Sequence, residues 1–317
     1  MEKSKIDISV LLLFFLRTEK TVKVFEEIRK ARPSRIFLYQ DGPRANHPDD
    51  KEKLQECRSA IESMIDWDCE VHRWYQEENK GCDPSEYLSQ KWMFSIVDKG
   101  IVLEDDDVPS QSFFPFCKEL LDRYENDTRI NAICGMNNLG VTDIKESYLF
   151  TRYGAIWGWA TWRRVIDQWD SQYSWLDDAR VVDNISQKWR KSDEFVKLCK
   201  RHLDSGREHY ESILGANVRL NNTLNIVPAK NMITNIGIGE ETTHSVNDIH
   251  KLPRAVRKIL YMKRYEIDFP LIHPKYVVED YIWKKDFMKL MGYSSFTKYC
   301  RKLEGILYRL FPILGRL

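Results

Sequence analysis

The chain has 317 residues, of which 43% are hydrophobic and 31% charged, and its formal net charge is +1. That length suffices for one large α/β domain or two small ones with a substantial core. The near-neutral balance excludes a protein whose main business is coating nucleic acid, which carries a clear basic excess. The seven cysteines are odd in number and form no CxxC pair. This argues against a disulfide framework or a structural zinc site and fits a reducing cytoplasm.

The first third alternates strand and helix signals. Residues 8–16 form a continuous apolar segment whose part from Val10 to Leu16 is the strongest such run in the chain, too short to span a bilayer and followed by no small-residue cleavage site. It reads as a central parallel strand buried on both faces, not as a signal peptide, so the protein is expected to work where it is made. Val22, Phe25 and Ile28 then recur at helical spacing over 21–31. Residues 35–40 read as a second strand stopping at Asp41-Gly42-Pro43, 54–65 as an amphipathic helix, 69–75 as a third strand and 87–97 as a helix. Residues 100–103 form a short apolar strand that runs into Glu104-Asp105-Asp106-Asp107. This order predicts an open, mostly parallel, Rossmann-like sheet that binds ligands beyond the carboxyl ends of its strands. The polar clusters sit at those ends.

Four consecutive carboxylates repel one another, so a folded chain keeps them together only beside a cation or strong donors. At a strand end the compensator is commonly Mg²⁺ or Mn²⁺, hard ions that share their coordination with substrate phosphates. Such an ion acts as a Lewis acid on a departing diphosphate. An acidic run can equally be a solvated loop; the strand Ile101-Val102-Leu103 directly before this one favours a site.

The segment Ile101-Val102-Leu103-Glu104-Asp105-Asp106-Asp107-Val108-Pro109, followed by Phe113-Phe114, resembles the Glu-Asp-Asp form of the DXD motif in GT-A fold nucleotide-sugar glycosyltransferases. It is similar to bacterial polysaccharide glycosyltransferases and to the N-acetylglucosaminyltransferase I type. Further pieces follow in the order of those families. They are Arg17 after the first strand, Asp41-Gly42-Pro43-Arg44, Asn79-Lys80-Gly81-Cys82, Trp157-Gly158-Trp159-Ala160-Thr161-Trp162-Arg163-Arg164, and Asn231-Met232-Ile233-Thr234-Asn235-Ile236-Gly237 with Thr243-His244.

The resemblance implies an inverting, metal-dependent transfer from a UDP-sugar to a glycan or lipid-linked glycan. It makes Asp106 the direct ligand of Mn²⁺ or Mg²⁺, puts Asp105 on the donor's ribose or sugar, and sets Glu104 on the far side of the sugar or against the loop. Asp41 would accept an N–H of a uracil base, and Arg17 would pair with the diphosphate or flank the base. Arg44, Lys80 and Gly81 belong to the donor-binding start and turn. Trp157, Gly158 and Trp159 would line the donor–acceptor junction, where aromatic faces stack on sugar and guanidinium groups meet phosphate. His244 would reach the diphosphate when the loop at 237–245 closes. Inversion needs a general base, and Glu211 stands where the bacterial group carries Asp, with Asp177 and Asp178 as rivals. The implied organisation is a glycosyltransferase domain over 1–250, with a donor half to about 135 and an acceptor half beyond, then a helical extension over 251–317.

Three other readings compete. A nucleotidyltransferase would open with a Gly-rich loop, which Leu16-Arg17-Thr18-Glu19-Lys20 lacks. A metal-dependent phosphohydrolase or nuclease would want paired His or Asp ligands along the chain. A catalytically inactive nucleotide-sugar or glycan-binding protein of the same fold is favoured only by Glu at 211. In the tail, Tyr299, Leu303, Ile306, Leu307, Leu310 and Phe311 recur at helical spacing among Lys298, Arg301, Lys302, Arg309 and Arg316. That pattern suits either a membrane surface, at the inner face of the cytoplasmic membrane, or a helix docked on the protein's own core.

Overall fold

The structure is a computed structural model and describes residues 2–188, 192–238, 254–292 and 295–310. In chain order the first half runs β1 (Glu2–Lys3), β2 (Ile6–Phe14), α1 (Thr18–Ala31), β3 (Pro33–Gln40), α2 (Asp50–Ser63), β4 (Trp67–Asp68), β5 (Glu70–Tyr75), α3 (Cys82–Ile96), β6 (Lys99–Glu104), β7 (Asp107–Pro109), α4 (Phe113–Arg123) and β8 (Ile130–Cys134). The second half runs β9 (Tyr148–Thr151), β10 (Trp159–Trp162), α5 (Arg163–Ile166), a 3₁₀ turn (Ser174–Asp177), α6 (Ala179–Lys188), α7 (Ser192–Ser205), α8 (Tyr210–Asn221), β11 (Leu224–Pro228), β12 (Ile233–Asn235), α9 (Arg254–Arg257), α10 (Tyr281–Met291) and α11 (Ser295–Leu310).

Eight strands form one sheet in the order β5-β3-β2-β6-β10-β8-β11-β9. The pairings β5–β3, β3–β2, β2–β6 and β8–β11 are parallel, whereas β10 and β9 run against their neighbours. The mostly parallel α/β sheet expected from the alternating strand and helix signals is therefore present. Its central strands are buried on both sides because successive side chains enter different layers. Val10, Leu12 and Phe14 of β2 pack with Val24, Phe25 and Ile28 of α1 and with Phe113, Phe116 and Leu120 of α4. Leu11 and Leu13 pack with Phe37, Met93, Phe94 and Trp169 in the other layer. Each such aliphatic or Phe side chain contributes on the order of 2 kcal/mol by leaving water.

A small antiparallel pair, β12 with β7, sets Asn235 opposite Asp107 immediately beyond the end of β6. The stretch after α9 supports it. Asn231 Nδ2 donates to the Lys263 carbonyl at 2.9 Å, Thr234 Oγ1 to that of Met262 at 2.6 Å, and the Tyr261 N–H to that of Asn235 at 3.0 Å. Ile267 and Leu271 bury themselves in the same core as β2.

Candidate functional site

β2, β3 and β6 are parallel neighbours, so their carboxyl ends deliver Arg17, Asp41 and Glu104–Asp107 to one edge of the sheet. Arg17 closes on two of the carboxylates. Its Nε donates to Asp105 Oδ2 at 3.1 Å, its Nη2 to Asp105 Oδ1, and Nη2 also lies 2.8 Å from Asp106 Oδ2. Burial opposes the guanidinium's charge, but Asp105 and Asp106 hold its pKa above the ordinary arginine value. Asn235 Nδ2 donates to Asp106 Oδ1 at 2.8 Å and to Asp107 Oδ1 at 3.1 Å. The Gly158 N–H donates to Asp107 Oδ2 at 2.8 Å.

The local backbone serves this arrangement. Gly158 has φ +61, and a Cβ there would lie 2.5 Å from Ile233. Gly237 approaches Asp106 Oδ2 so closely that a Cβ would overlap it. The Gly237 carbonyl accepts from Lys20 Nζ at 2.8 Å and from Arg17 Nη1 at 3.4 Å. Two cations and the start of the closing segment therefore meet at the acidic turn.

Electrostatics mark the turn as short of positive charge. Burial, then Asp105, raises the Asp106 pKa, with Arg17 and Lys20 pulling it down. Burial followed by Asp106 raises that of Asp107 well above the usual carboxylate range, and burial followed by Glu86 and Asp107 does the same for Glu104. Behind Glu104 lies a buried polar set that the sequence reading did not single out. Glu86 and Gln90 on α3 share a hydrogen bond of 3.1 Å, and burial together with Asp105 and Asp106 pushes the Glu86 pKa up to about 8. Tyr210 on α8 faces Glu86, Glu104 and the Gln90 amide, yet neither its Oη nor Gln90 Oε1 makes a hydrogen bond of good geometry. Glu86 and Gln90 stand at i, i+4 on α3, but Glu86 falls one residue outside the helix expected over 87–97. Nothing local pointed to Lys20 or to the bridging role of Asn235.

Several of the expected site residues already have partners within the fold. The Asp41 carboxylate is already filled: it accepts from the N–H groups of Gly42 (2.8 Å), Lys80 (2.8 Å) and Gly81 (3.0 Å) and from Asn79 Nδ2 (2.8 Å). A carboxylate offers about four acceptor positions, so Asp41 braces the Asn79–Gly81 turn. Arg44 is bidentate to Asp50 at the start of α2, 2.8 Å from each oxygen. Trp159 is 1% exposed inside the core, because β10 pairs on both sides with β6 and β8; it lines no cleft. The Trp/Arg alternation around it is structural too. Arg163 donates to the Phe94 carbonyl at 2.6 Å, and Arg164 reaches the carbonyls of Tyr124, Glu125, Asp127 and Ile130 while covering the Trp162 ring. Asp178 accepts the N–H groups of Arg180 and Val181 at the start of α6.

Trp157 is half-buried against the main core. Lys80 is exposed, 3.8 Å from Glu78, and Gly81 has φ +89 at the start of α3. Glu211 is exposed in the first turn of α8, one residue after Tyr210. His244 lies outside the described residues.

No protein-family model and no curated protein matches the chain. Among solved structures it is similar to a mannosyltransferase, PcManGT from Pyrobaculum calidifontis in complex with GDP-Man and Mn²⁺, at 10% identity and TM-score 0.36, covering 69% of this chain and 70% of that one. It is also similar to a UDP-glucose pyrophosphorylase complexed with UDP-glucose, at 8% identity and TM-score 0.38 over 72% and 92% of the two chains. A third similarity is to the apo-form glycosyltransferase GlyE of Streptococcus pneumoniae TIGR4, at 11% identity and TM-score 0.31 over 94% and 64%. Likeness this remote decides neither donor nor reaction.

Proposed function

We propose that the protein is a glycosyltransferase that takes a sugar from a nucleotide diphosphate donor, a UDP-sugar, and passes it to a glycan or lipid-linked glycan on the cytoplasmic side of a membrane. The observation that carries this reading is the acidic turn Glu104–Asp107 at the end of a central parallel strand, with Arg17 and Lys20 converging on it. Buried carboxylates in excess of their cations suit a divalent ion. Among the described residues no three His, Cys, Asp or Glu side chains are grouped to hold one. An ion here would take Asp106 as its protein ligand and complete its shell with phosphate oxygens and water, which is how Mg²⁺ and Mn²⁺ commonly bind beside nucleotides. Such an ion supplies charge neutralisation on the departing diphosphate.

The chain's own groups perform the rest. Arg17 and Lys20 place two positive charges beside the phosphates, and Arg17 positions Asp105 through a bidentate contact. Asp41 fixes the Asn79–Gly81 turn, so the first N–H groups of α3 and the Lys80 side chain face the donor from a rigid base. Tyr210 Oη and Gln90 Oε1, next to Glu104 and without hydrogen bonds of good geometry, offer a donor and an acceptor to a ligand rich in hydroxyl groups. Glu211, exposed on the same helix as Tyr210, accepts the proton of the acceptor hydroxyl, and His244 meets the diphosphate.

One observation favours a second reading, a nucleotide-sugar or glycan-binding protein without transfer activity: Arg17 and Asn235 already engage both oxygens of Asp106. The test is release of nucleoside diphosphate from a panel of UDP- and GDP-sugars with Mn²⁺ present. Metal-dependent release from one donor that an acceptor accelerates, with the acceptor-dependent part lost in Glu211→Gln, supports transfer. Tight donor binding without any turnover favours the binding protein.

A further inference from the structure

Helix α11 is amphipathic in the inverse of the usual sense. The side that rests on the protein is polar. Tyr308 Oη donates to Glu304 at 2.7 Å, the Arg254 N–H donates to Glu304 at 3.3 Å, Arg257 covers the Tyr308 ring, and Arg301 reaches the Leu290 carbonyl at the end of α10. The opposite side is apolar and open: Tyr299, Leu303, Ile306 and Leu307 are 61%, 43%, 44% and 47% exposed. A surface helix ordinarily turns its apolar stripe to the core and its charges to water. Here the docked residues 301, 304 and 308 and the exposed residues 299, 303, 306 and 307 fall on opposite faces at 100° per residue. The expectation of a tail docked through its apolar face therefore fails. The apolar stripe is left for something else.

The charge pattern identifies what covers it. Residues 295–317 carry five basic side chains (Lys298, Arg301, Lys302, Arg309, Arg316) and one acidic, Glu304, and Glu304 is spent on the protein side. Lys302, exposed, flanks the apolar stripe. A second copy of the chain meeting this face about a two-fold axis would bring like charges together. Anionic lipid headgroups complement the flank, while Leu and Ile side chains sink into the headgroup boundary. No helix among the described residues is long and apolar enough to cross a membrane, so α11 would lie in the membrane plane.

We propose that α11 is an interfacial membrane-docking helix that seats the protein on an anionic lipid surface through Tyr299, Leu303, Ile306 and Leu307, with its basic flank against the headgroups. The assignment is independent of the transfer chemistry, since it concerns where the protein sits and not what it turns over.

Co-sedimentation of the full chain with vesicles tests it, comparing phosphatidylcholine alone with phosphatidylcholine containing phosphatidylglycerol. Wild type is expected to pellet with the anionic vesicles at least tenfold more strongly than with the neutral ones, and to be released by high salt. Leu303→Asp/Ile306→Asp should abolish pelleting. Lys302→Glu, a change at an exposed position that leaves the fold intact, should weaken it about fivefold or more. Unchanged melting curves certify the variants; if the double variant unfolds, Lys302→Glu alone carries the test. Three results overturn the proposal: wild type stays in solution with anionic vesicles, the variants pellet as wild type does, or wild type dimerises in solution and Leu303→Asp/Ile306→Asp renders it monomeric.

Discussion

Asp41→Ala isolates the difference between a brace and an open acceptor. Asp41 is 7% exposed and holds four N–H groups from two separate segments, its own turn and residues 79–81. Truncation leaves the Gly42 N–H buried without a partner, at about 2 kcal/mol. The three donors from residues 79–81 are only partly buried, so water replaces the carboxylate there and each costs about 0.5–1 kcal/mol. Relief of the buried charge returns part of this; burial pushes the Asp41 carboxyl up against the pull of the Lys80, Gly42 and Gly81 N–H groups. The net loss is about 3 kcal/mol, a large share of a domain's typical stability. Urea unfolding followed by circular dichroism measures it, as a fall in midpoint at constant slope. Donor affinity should fall as well, because the 79–81 turn loosens. A loss below about 1 kcal/mol, with donor binding abolished, would show that Asp41 serves the ligand directly and refute the brace.

Three further outcomes follow from the same geometry. Gly158→Ala forces an L-residue to φ +61 and drives a Cβ to 2.5 Å from Ile233, so thermal melting should report a loss of about 2 kcal/mol or more. Tyr210→Phe removes a buried hydroxyl that makes no hydrogen bond of good geometry; melting should change by less than about 0.5 kcal/mol or rise slightly, while KM for the nucleotide-sugar increases and affinity for the free nucleoside diphosphate does not. Glu86 has its folded pKa raised from 4.5 to about 8 by burial and by Asp105 and Asp106. The folded state thus binds the extra proton, so wild-type stability falls as pH climbs through that window and levels off above it; Glu86→Gln should flatten the profile.

The sheet was legible in the sequence because burial on both faces leaves a continuous apolar run: β2 spans Ile6–Phe14 where residues 8–16 were expected, and β6 spans Lys99–Glu104 around the expected 100–103. The meeting of Arg17 with the acidic turn was legible for a related reason, since adjacent parallel strands end at one edge. What stayed hidden is tertiary. Nothing local shows that Asp41 is consumed by a turn 38 to 40 residues away. Arg163 and Arg164 look like phosphate ligands until the carbonyls that surround them are seen. Trp159 looks like a stacking platform until β10 is found between two other strands. The polar underside of α11 is invisible to a periodicity argument, which reports two faces but not which of them docks.

The claim at the centre is that Asp106 and Arg17 form a metal-assisted diphosphate site. Calorimetric titration of UDP into wild type and Asp106→Ala, each with and without Mn²⁺, addresses it most directly. Mn²⁺ is expected to tighten binding to wild type by tenfold or more and to leave Asp106→Ala unaffected. Equal binding with and without the ion, or an Asp106→Ala variant that responds to Mn²⁺ as wild type does, would contradict it.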